Sequence, residues 1–568
     1  MFPEWIYELC RDGTNVTSEL ATEPESAPRD IIDRVFKPQN GLCDRCRSSE
    51  KEKGNRHLDL QQAYLCGKWG SRRPSDLFLQ IYHDVLCALD RNPMAGCASP
   101  SLLGSSGVVP LTIIAPTPDI CRHMAHCIVR AEKEVFLATN YWTFSRCSTL
   151  ITDALKELSL RAGRRGTKVV VKIMYDRAQL KQDNDNLEMM VRMEGPIVDS
   201  FYDLAIIQWN TKLTPMLPMI NSPAMTEKPP SFAHHAGQKL TGKAVNTFQL
   251  ERLQSKELES RNELTRESGE YDPDIESEAA SIQASVRPRG TESRVEGVTR
   301  HLNIVKRPDI TGDAPEWSDQ NEMTPYLLHA PHNPFPMALV CREPWPALNH
   351  SSIYTPQNVA FLSAIRNAQK SIFIQTPNMN AECLLEPILN AVRRGLVVTC
   401  YLTLGYNDAG ELLPFQNGTN EMISNRLYNS LTSEEEKARL QIYNYVAKDQ
   451  TKPIHNKFKK RSCHIKLMVI DEHVAIQGNG NLDTQSIFHS QETNVLFDSA
   501  EICQAWLEGI RRNQNTAIYG AVSSQDGCWH DPVTGEMVGG AIGVNPGRFS
   551  WIKGLAGAIK RVQGVDGF

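Results

Sequence analysis

The sequence predicts an α/β protein with two lobes, each containing mixed or parallel sheets flanked by helices, and a long disordered linker between them. Three observations support this fold class. Strands alternate with helices in two separate regions, which is typical of a sheet with helical cover. The second region repeats the first, except for one missing stretch that predicts a truncated first lobe. Between them lies a charged, aromatic-poor segment that buries too little apolar surface to fold alone.

The pattern divides the chain of 568 residues into five parts. Apolar residues make up 41% of the chain and charged residues 22%, which is a globular composition with room for several domains. The predicted parts are a mostly irregular N-terminal extension (1–108), the first lobe (109–211), the disordered linker (212–335), the second lobe (336–520) and a C-terminal tail (521–568). Within the extension, Ser75 is predicted to cap one packing helix.

The first lobe shows the strand and helix alternation most clearly. Apolar runs rich in β-branched residues indicate strands, and apolar residues at three- and four-residue spacing indicate helices. The predicted order is a strand at 108–115, a helix at 119–130, a buried strand at 134–142, a helix at 149–166 that ends at a glycine, and a buried strand at 167–175.

The linker and the tail differ from the lobes in composition. Charged and small polar residues dominate from Glu251 to Arg300, which predicts disorder. The tail contains a basic, weakly amphipathic segment at 548–564. Such a segment either packs as an ordinary helix or lies on an anionic membrane surface.

The internal repeat identifies the missing stretch. Residues 117–139 match 355–376, and 194–200 resemble 492–499. In the second copy Asp408 and Asp483 lie 75 residues apart, whereas Asp176 and Asp183 of the first copy lie 7 apart. The first copy is therefore about 68 residues shorter, and we expect it to lack two strands.

The stretch that the first copy lacks contains the strongest chemical motif of the chain. His464, Lys466 and Asp471 form H-x-K-x4-D, and Gly478 and Asn481 follow as G-x-x-N. Alternation along a strand places His464 and Lys466 on one face. An imidazole can attack phosphorus or protonate a leaving oxygen, and an ammonium can bind phosphate. The alternative is a histidine in a half-buried strand.

A second H-x-K pair shows how weak the short pattern is alone. His455 and Lys457 have the same spacing, but Ser462 occupies the position of the aspartate. We therefore do not expect His455 to be catalytic.

The complete motif resembles the HKD motif of the phospholipase D superfamily, and the closest similarity is to fungal phospholipase D-like and cardiolipin synthase-like proteins. The resemblance implies two phospholipase D-type lobes that share one site, one histidine that forms a phosphohistidine and another that protonates the leaving group. It implies no metal and no cofactor. On this resemblance His464 is the acid, and Lys466, Gly478 and Asn481 bind the substrate phosphate. Asp471 and Glu492 are implied to support the site, Glu492 as the carboxylate beside the histidine.

The sequence departs from the family in its first lobe. No H-x-K-x4-D motif occurs there, and no histidine lies between His126 and His234. We therefore expect half a site, with a rate several orders of magnitude lower than that of a complete one. A homodimer that pairs two second lobes would complete the site.

Three functions follow as alternatives. The first is a phospholipase D-type phosphodiesterase or phosphatidyltransferase that acts on phospholipids through a phosphohistidine. The second is a non-catalytic phosphate- or lipid-binding protein, in which the basic cluster Lys452, Lys457, Lys459, Lys460 and Arg461 binds an anionic membrane surface. The third is a nuclease of the same superfamily, which the net charge of -5 disfavours.

The chain is expected to be cytoplasmic and peripheral on an intracellular membrane. Glu4 and Glu8 lie where a signal peptide would be basic or apolar. The 15 cysteines are odd in number and dispersed, which favours a reducing compartment. Cys43 and Cys46 form a CxxC pair, but the spacing of other ligands matches no common zinc site.

Overall fold

The computed structural model describes residues 3–37, 56–143, 145–179, 186–209, 271–304, 310–344, 352–413 and 416–545. Four parts of the sequence-based interpretation therefore lie outside the described residues: the CxxC pair Cys43 and Cys46, the linker from 212 to 270, Asp183, and the basic tail segment at 548–564.

The N-terminal extension is helical, so the prediction that it is mostly irregular is wrong. Its first three helices are short and bury one or two apolar residues each, as Ile6 and Cys10 show, so their periodicity spans too few turns to be recognised. The Ser75 cap is confirmed, because its hydroxyl accepts from the amide of Phe78. The helices are α1 (Glu4–Asp12), α2 (Val16–Thr22), α3 (Pro28–Val35), α4 (Arg56–Leu65), α5 (Asp76–Cys87) and α6 (Pro100–Leu103).

The first lobe has the predicted element order. Gly166 adopts a left-handed conformation and ends the second helix of the lobe, as the sequence predicts. The elements are β1 (Gly104–Pro116), α7 (Thr117–Val129), β2 (Glu134–Thr143), α8 (Arg146–Arg165), β3 (Val170–Gln179), β4 (Leu187–Glu194) and α9 (Ile197–Trp209).

Residues 271–304 and 310–335 have a defined structure, so the predicted disorder is wrong there. It contains α10 (Ile275–Val286), α11 (Arg294–Leu302) and β5 (Tyr326–Leu328). Ile282 of α10 packs against Leu111 and Ile113 of β1, and the side chain of Ser293 caps α11. Sparse aliphatic residues, invisible in an average composition, are enough to fix these helices on the lobe.

The second lobe carries the larger set of elements. They are β6 (Phe335–Leu339), α12 (Pro356–Asn367), β7 (Ser371–Thr376), α13 (Glu382–Arg393), β8 (Val397–Leu402), α14 (Asp408–Glu411), α15 (Asn420–Asn429), α16 (Glu434–Arg439), β9 (Leu440–Asn444), β10 (Leu467–Ile470), β11 (Val474–Gly478), α17 (Thr484–Phe488), β12 (Asn494–Asp498), α18 (Ala500–Asn513) and α19 (Thr516–Tyr519).

One mixed sheet joins the two lobes. Its order is β4-β1-β6-β12-β11-β10-β7-β8-β9, with β5 also paired to β1. The strands β7, β8 and β9 run parallel, and the other neighbours are antiparallel. The long strand β1 connects the lobes, because its start pairs with β6 and its remainder pairs with β4. The α/β architecture with a large sheet and helical cover is confirmed.

The strand order can be compared with the expected shortening of the first lobe. In the second lobe, β12 and β7 are separated by β11 and β10. In the first lobe, β4 is the counterpart of β12, because a helix follows each of these strands. The counterpart of β7 is β2, because each is the first strand of a parallel pair. Within the described residues no strand lies between these two, and β2 pairs with β3 alone in a separate parallel sheet. The two missing strands are the ones that carry the motif in the second lobe.

This loss exposes the small β2–β3 sheet. The side chains of Val171 and Tyr175 on β3 are 40% and 51% exposed. The prediction that residues 167–175 form a buried strand is therefore wrong at these positions, because helices α7 and α8 cover one face of the pair and leave apolar residues of the other in solvent.

The helices of the described residues include none that combines the length and the apolar character needed to cross a lipid bilayer.

Candidate phosphodiesterase site

The site lies where the start of β4 meets the segment that precedes β10. The amide of Leu187 donates to the carbonyl of Ser462 at 2.8 Å, and the amide of His464 donates to the carbonyl of Leu187 at 2.9 Å. These backbone hydrogen bonds join the first lobe to the motif of the second lobe. They place the residue after Leu187, Glu188, beside the motif histidine.

Three side chains surround the imidazole of His464. Its Nδ1 lies 2.9 Å from Oε1 of Glu188. The ammonium of Lys466 lies 2.6 and 2.8 Å from the two ring nitrogens and donates to the carbonyl of His464 at 2.7 Å. The ring of Tyr406 stacks on the imidazole with 5.6 Å between centroids. The predicted proximity of His464 and Lys466 is therefore present in the structure.

Burial and charge set the protonation states of this group. Burial, together with the charge of Lys466, lowers the pKa of His464 despite the opposing effect of Glu188. Burial also lowers the pKa of Lys466, against the attraction of Glu188 and Glu492. Burial disfavours the carboxylate of Glu188, but the charges of His464 and Lys466 outweigh burial and lower its pKa. The resting site thus contains an ionised Glu188 and a neutral imidazole.

Asn481 lies in a polar network behind the imidazole. Its Nδ2 donates to Oδ2 of Asp483 at 3.0 Å, and its backbone amide donates to the hydroxyl of Ser486 at 3.0 Å. Among the described atoms its buried Oδ1 has no hydrogen-bond partner. An amide has two N–H donors, so one donor and one acceptor of Asn481 remain available to a ligand.

Glu492 occupies the same network but does not have the predicted role. Burial raises the pKa of Glu492 to about 8, although its hydrogen bond with Ser486 opposes the shift. The carboxyl group is therefore protonated at neutral pH. Glu188 supplies the hydrogen-bonded carboxylate that the sequence interpretation assigned to Glu492.

The sequence contained a signal for Glu188 that the repeat comparison misread. Residues 194–200 were matched with 492–499, which pairs Glu194 with Glu492. In the structure Glu188 stands near the start of β4, as Glu492 stands just before β12, whereas Glu194 ends β4 and pairs with Arg192. The carboxylate that contacts His464 is therefore at the beginning of β4 and not at its end.

Asp471 lies at the opposite end of β10 from His464, so its predicted support of the site is wrong. Its carboxylate accepts hydrogen bonds from the backbone amides of Gln369, Lys370 and Ser371 at 2.7–3.1 Å. It therefore fixes the turn that enters β7. A strand of four residues spans about 13 Å, which separates this turn from the histidine.

Gly478 has a packing role in the sheet. A Cβ atom at this position would lie 2.3 Å from the carbonyl oxygen of Thr493 and 2.5 Å from Cα of Asn494. The glycine is needed because β12 approaches β11 closely here, which differs from the predicted approach of a phosphate to the backbone.

His455, the histidine of the second H-x-K pair, has a packing role and is not expected to be catalytic. His455 Nε2 lies 3.2 Å from Oδ2 of Asp408. Its ring fills the space that a Cβ atom on Gly405 would occupy. His455 is 3% exposed and is held by packing on both sides.

The basic cluster near the motif divides into a buried residue and a surface loop. Arg461 is buried and binds Asp449 through its Nε and Nη2 atoms at 2.7–3.1 Å, so it cannot be a free anion ligand. Lys452 and Lys457 are exposed. Phe458 stands between two lysines with 48% of its surface exposed, and the ammonium of Lys457 lies 4.9 Å from its ring centre.

Comparison with known proteins identifies the family of the motif-bearing lobe. Residues 361–512 match the family profile described as cardiolipin synthase, PLD-like domain. This segment therefore carries a phospholipase D-like domain. A comparison with curated proteins found no match.

Solved structures similar to this chain include three bacterial proteins. Nuc of Salmonella typhimurium is 16% identical over 33% of this chain and 97% of its own, with a TM-score of 0.23. Phosphatidylserine synthase of Haemophilus influenzae Rd KW20 is 12% identical over 72% and 89%, with a TM-score of 0.35. NucT of Helicobacter pylori is 10% identical over 33% and 98%, with a TM-score of 0.22.

Proposed function

We propose that this chain is a phospholipase D-type phosphodiesterase or phosphatidyltransferase that acts on phospholipids through a phosphohistidine at His464. The observation that carries the proposal is the arrangement of Glu188, His464 and Lys466, in which each lobe contributes to one constellation. With Nδ1 bound by Glu188, Nε2 is the nitrogen that attacks a phosphodiester, after the ammonium of Lys466, which lies 2.8 Å from Nε2, has turned to the phosphate. A neutral imidazole is the form that attacks phosphorus, so His464 suits the nucleophile better than the acid that the resemblance implied.

The proposed reaction has two displacement steps. Nε2 of His464 attacks phosphorus, a P–N bond forms and the P–O bond to the leaving alcohol breaks. The leaving oxygen takes a proton from the ammonium of Lys466, whose pKa is lowered by burial. Water or an acceptor alcohol then attacks phosphorus and returns a proton to Lys466, and the P–N bond breaks. Glu188 stabilises the imidazolium charge that develops during the attack.

The rate is expected to be low because a complete family site contains two histidines. The sequence offers none between His126 and His234, so no first-lobe histidine completes the site. A second copy of the chain is the proposed source of a second histidine. Because β6 already pairs with β1, that copy would have to approach from the open face of the site instead of extending the sheet at β6.

The proposed partner is an anionic membrane surface. The loop with Lys457 and Phe458 leads directly into the motif, and the hydroxyl of Ser462 donates to Asn456 Oδ1 at 2.7 Å, which ties the loop to the site. An exposed aromatic ring between lysines can enter the interface while the ammonium groups bind lipid phosphates. Basic residues around an aromatic ring also suit single-stranded nucleic acid, so nuclease activity must be measured alongside lipid hydrolysis.

The test compares substrates and variants of the full chain. Headgroup release from phosphatidylglycerol and phosphatidylcholine vesicles, and transfer to added ethanol, should occur and should be lost in His464→Ala. His473→Ala, a half-exposed histidine at the other end of β10, is the control and should leave the rate unchanged. Plasmid nicking without headgroup release would move the proposal from lipids to nucleic acid.

A non-catalytic lipid-binding protein is the second candidate, and the missing first-lobe histidine favours it. Flotation with anionic vesicles separates this candidate from the first. Vesicle binding that survives in His464→Ala, together with no turnover in the unmodified chain, would establish binding without catalysis. Loss of flotation in Phe458→Ser would assign the docking to the loop, and unchanged flotation would exclude the loop as the anchor.

A further inference from the structure

Helix α7 carries a thiol and an imidazole in contact, away from the phosphodiesterase site. His123 and Cys127 are one turn apart, and the Sγ atom of Cys127 lies 3.5 Å from Nε2 of His123. Cys127 is exposed, whereas His123 is 1% exposed. A nucleophilic atom at the surface with a base beside it is the arrangement by which proteins activate a nucleophile, provided that a third group orients the base.

A buried carboxylate, that of Glu278, is the third group and orients His123. Both oxygens of Glu278 on α10 lie 3.0–3.1 Å from Nδ1 of His123, and Glu278 is 0% exposed. The hydroxyl of Tyr326 donates to Oε1 of Glu278 at 3.1 Å and fixes the carboxylate in turn. The Nδ1–H of His123 therefore points to Glu278, and Nε2 points to the sulfur.

The surrounding charges favour the charged form of His123. Burial opposes the charge on His123, but its interactions with Cys127 and Glu278 outweigh burial and raise the pKa of His123 to about 9. Burial likewise opposes the charge on Glu278, but His123 and His126 lower its pKa to about 2. On the other side of the sulfur, Nη1 of Arg192 on β4 lies 4.0 Å away. The imidazolium of His123 and the guanidinium of Arg192 thus both face the sulfur of Cys127.

We propose that Cys127, His123 and Glu278 form a reactive thiol site that takes low-molecular-weight disulfides. Three elements build it, the helices α7 and α10 with β4, and it shares no residue with the phosphodiesterase constellation. It is therefore independent of the proposed function.

The reaction is a thiol–disulfide exchange. The thiolate of Cys127 attacks one sulfur of the disulfide, a new S–S bond forms, and the original S–S bond breaks. The departing thiolate takes a proton from the imidazolium of His123 or from solvent. The disulfide itself is the oxidant, and a reduced thiol reverses the step.

The other described cysteines provide contrast within the same chain. Among the cysteines that the structure describes, Cys127 is exposed and the others are half-buried or buried. Burial raises the pKa of Cys383 to about 11 and that of Cys400 to about 12, which suppresses their thiolates. Modification should therefore concentrate on Cys127 when the reagent is limiting.

The test follows mixed-disulfide formation with oxidised glutathione at pH 7 by mass spectrometry of the Cys127 peptide. The full folded chain is compared with the same chain unfolded in urea, where Cys127 is an ordinary accessible thiol. We expect the folded chain to react about fivefold faster at Cys127. A folded-state rate at or below the unfolded-state rate would overturn the proposal, and this comparison needs no variant.

Variants then show which side chains increase the reaction rate of Cys127. His123→Gln and Glu278→Gln should each reduce the Cys127 rate to the unfolded-state value, and Cys127→Ser should remove the adduct. His530→Gln, a histidine paired with Asp526 elsewhere, should leave the rate unchanged. Should a buried-site variant fail to fold, Arg192→Gln at the surface still tests the charge effect. If Arg192→Gln and a folded His123→Gln both react at the rate of the unmodified chain, the proposal is contradicted.

Discussion

Glu188 of the first lobe binds His464 of the second lobe through a 2.9 Å contact between Oε1 and Nδ1. The two residues are 276 positions apart in sequence. The first lobe has lost the strands that would hold its own motif, yet it retains the carboxylate that orients the remaining histidine. The shortened lobe is therefore part of the site and not merely a remnant beside it.

Replacing Glu188 tests this relationship. Glu188→Gln removes the negative charge that raises the pKa of His464, so that pKa should fall further. Phosphodiesterase activity should drop at least about tenfold, because the imidazolium formed in the reaction loses its counter-charge. NMR titration of the His464 imidazole gives a readout that does not depend on turnover. Glu194→Gln, on the same strand but paired with Arg192, is the control. An unchanged His464 titration in Glu188→Gln would contradict the assignment.

The sequence was sufficient to locate His464 and Lys466 because the motif is local. Residues two apart on an extended chain share a face whatever the rest of the fold does. The role of Glu188 could not be read in this way, since it depends on the docking of two lobes through the backbone of Leu187. The repeat predicts two missing strands, and within the described residues no strand lies between β4 and β2.

The remaining differences have a common cause. Asp471 matched the motif but faces the turn before β7, because a motif position does not reveal which end of a strand it occupies. Helix α10 was hidden in a polar composition, although Ile282 is enough to dock it on β1. In each case tertiary contacts, and not local pattern, decide the outcome.

Asp471 should contribute to stability and not to chemistry. Asp471→Ala removes the acceptor for three backbone amides, and unsatisfied amides at this turn should lower the free energy of unfolding by about 1–3 kcal/mol. Urea unfolding measures the change. Glu472→Ala is a matched control, because Glu472 is the next residue, exposed and also at positive φ. Loss of activity in molecules that are still fully folded would instead support a catalytic role for Asp471.

Gly478 should be intolerant of any side chain. In Gly478→Ala the new Cβ would meet the backbone of Thr493 and Asn494, which cannot rotate away as a flexible side chain could. We expect the free energy of unfolding to fall by about 1–3 kcal/mol. Gly163→Ala in helix α8 meets nothing within 4 Å and should be neutral or stabilising by about 0.5–1 kcal/mol. Equal stability of the two variants would contradict the close approach of β12.

Glu492 should make the stability of the chain depend on pH. Its pKa is raised to about 8 by burial, so the folded chain holds a proton that the unfolded chain releases above about pH 4.3. More protons are bound in the folded state between these values, and the free energy of unfolding therefore falls as the pH rises towards 8. Glu492→Gln resembles the protonated carboxyl and removes this dependence.

Urea unfolding of both proteins at pH 4 and pH 8.5 checks the sign. The variant should match the unmodified chain at pH 4 and exceed its free energy of unfolding at pH 8.5 by about 1–3 kcal/mol. Glu382→Gln is the control, because its exposed pairing with Arg426 lowers the pKa of Glu382 instead of raising it. The opposite outcome is that the two proteins differ in free energy of unfolding by the same amount at both pH values. That result would show that the pKa of Glu492 is not raised in the folded protein and would contradict the prediction.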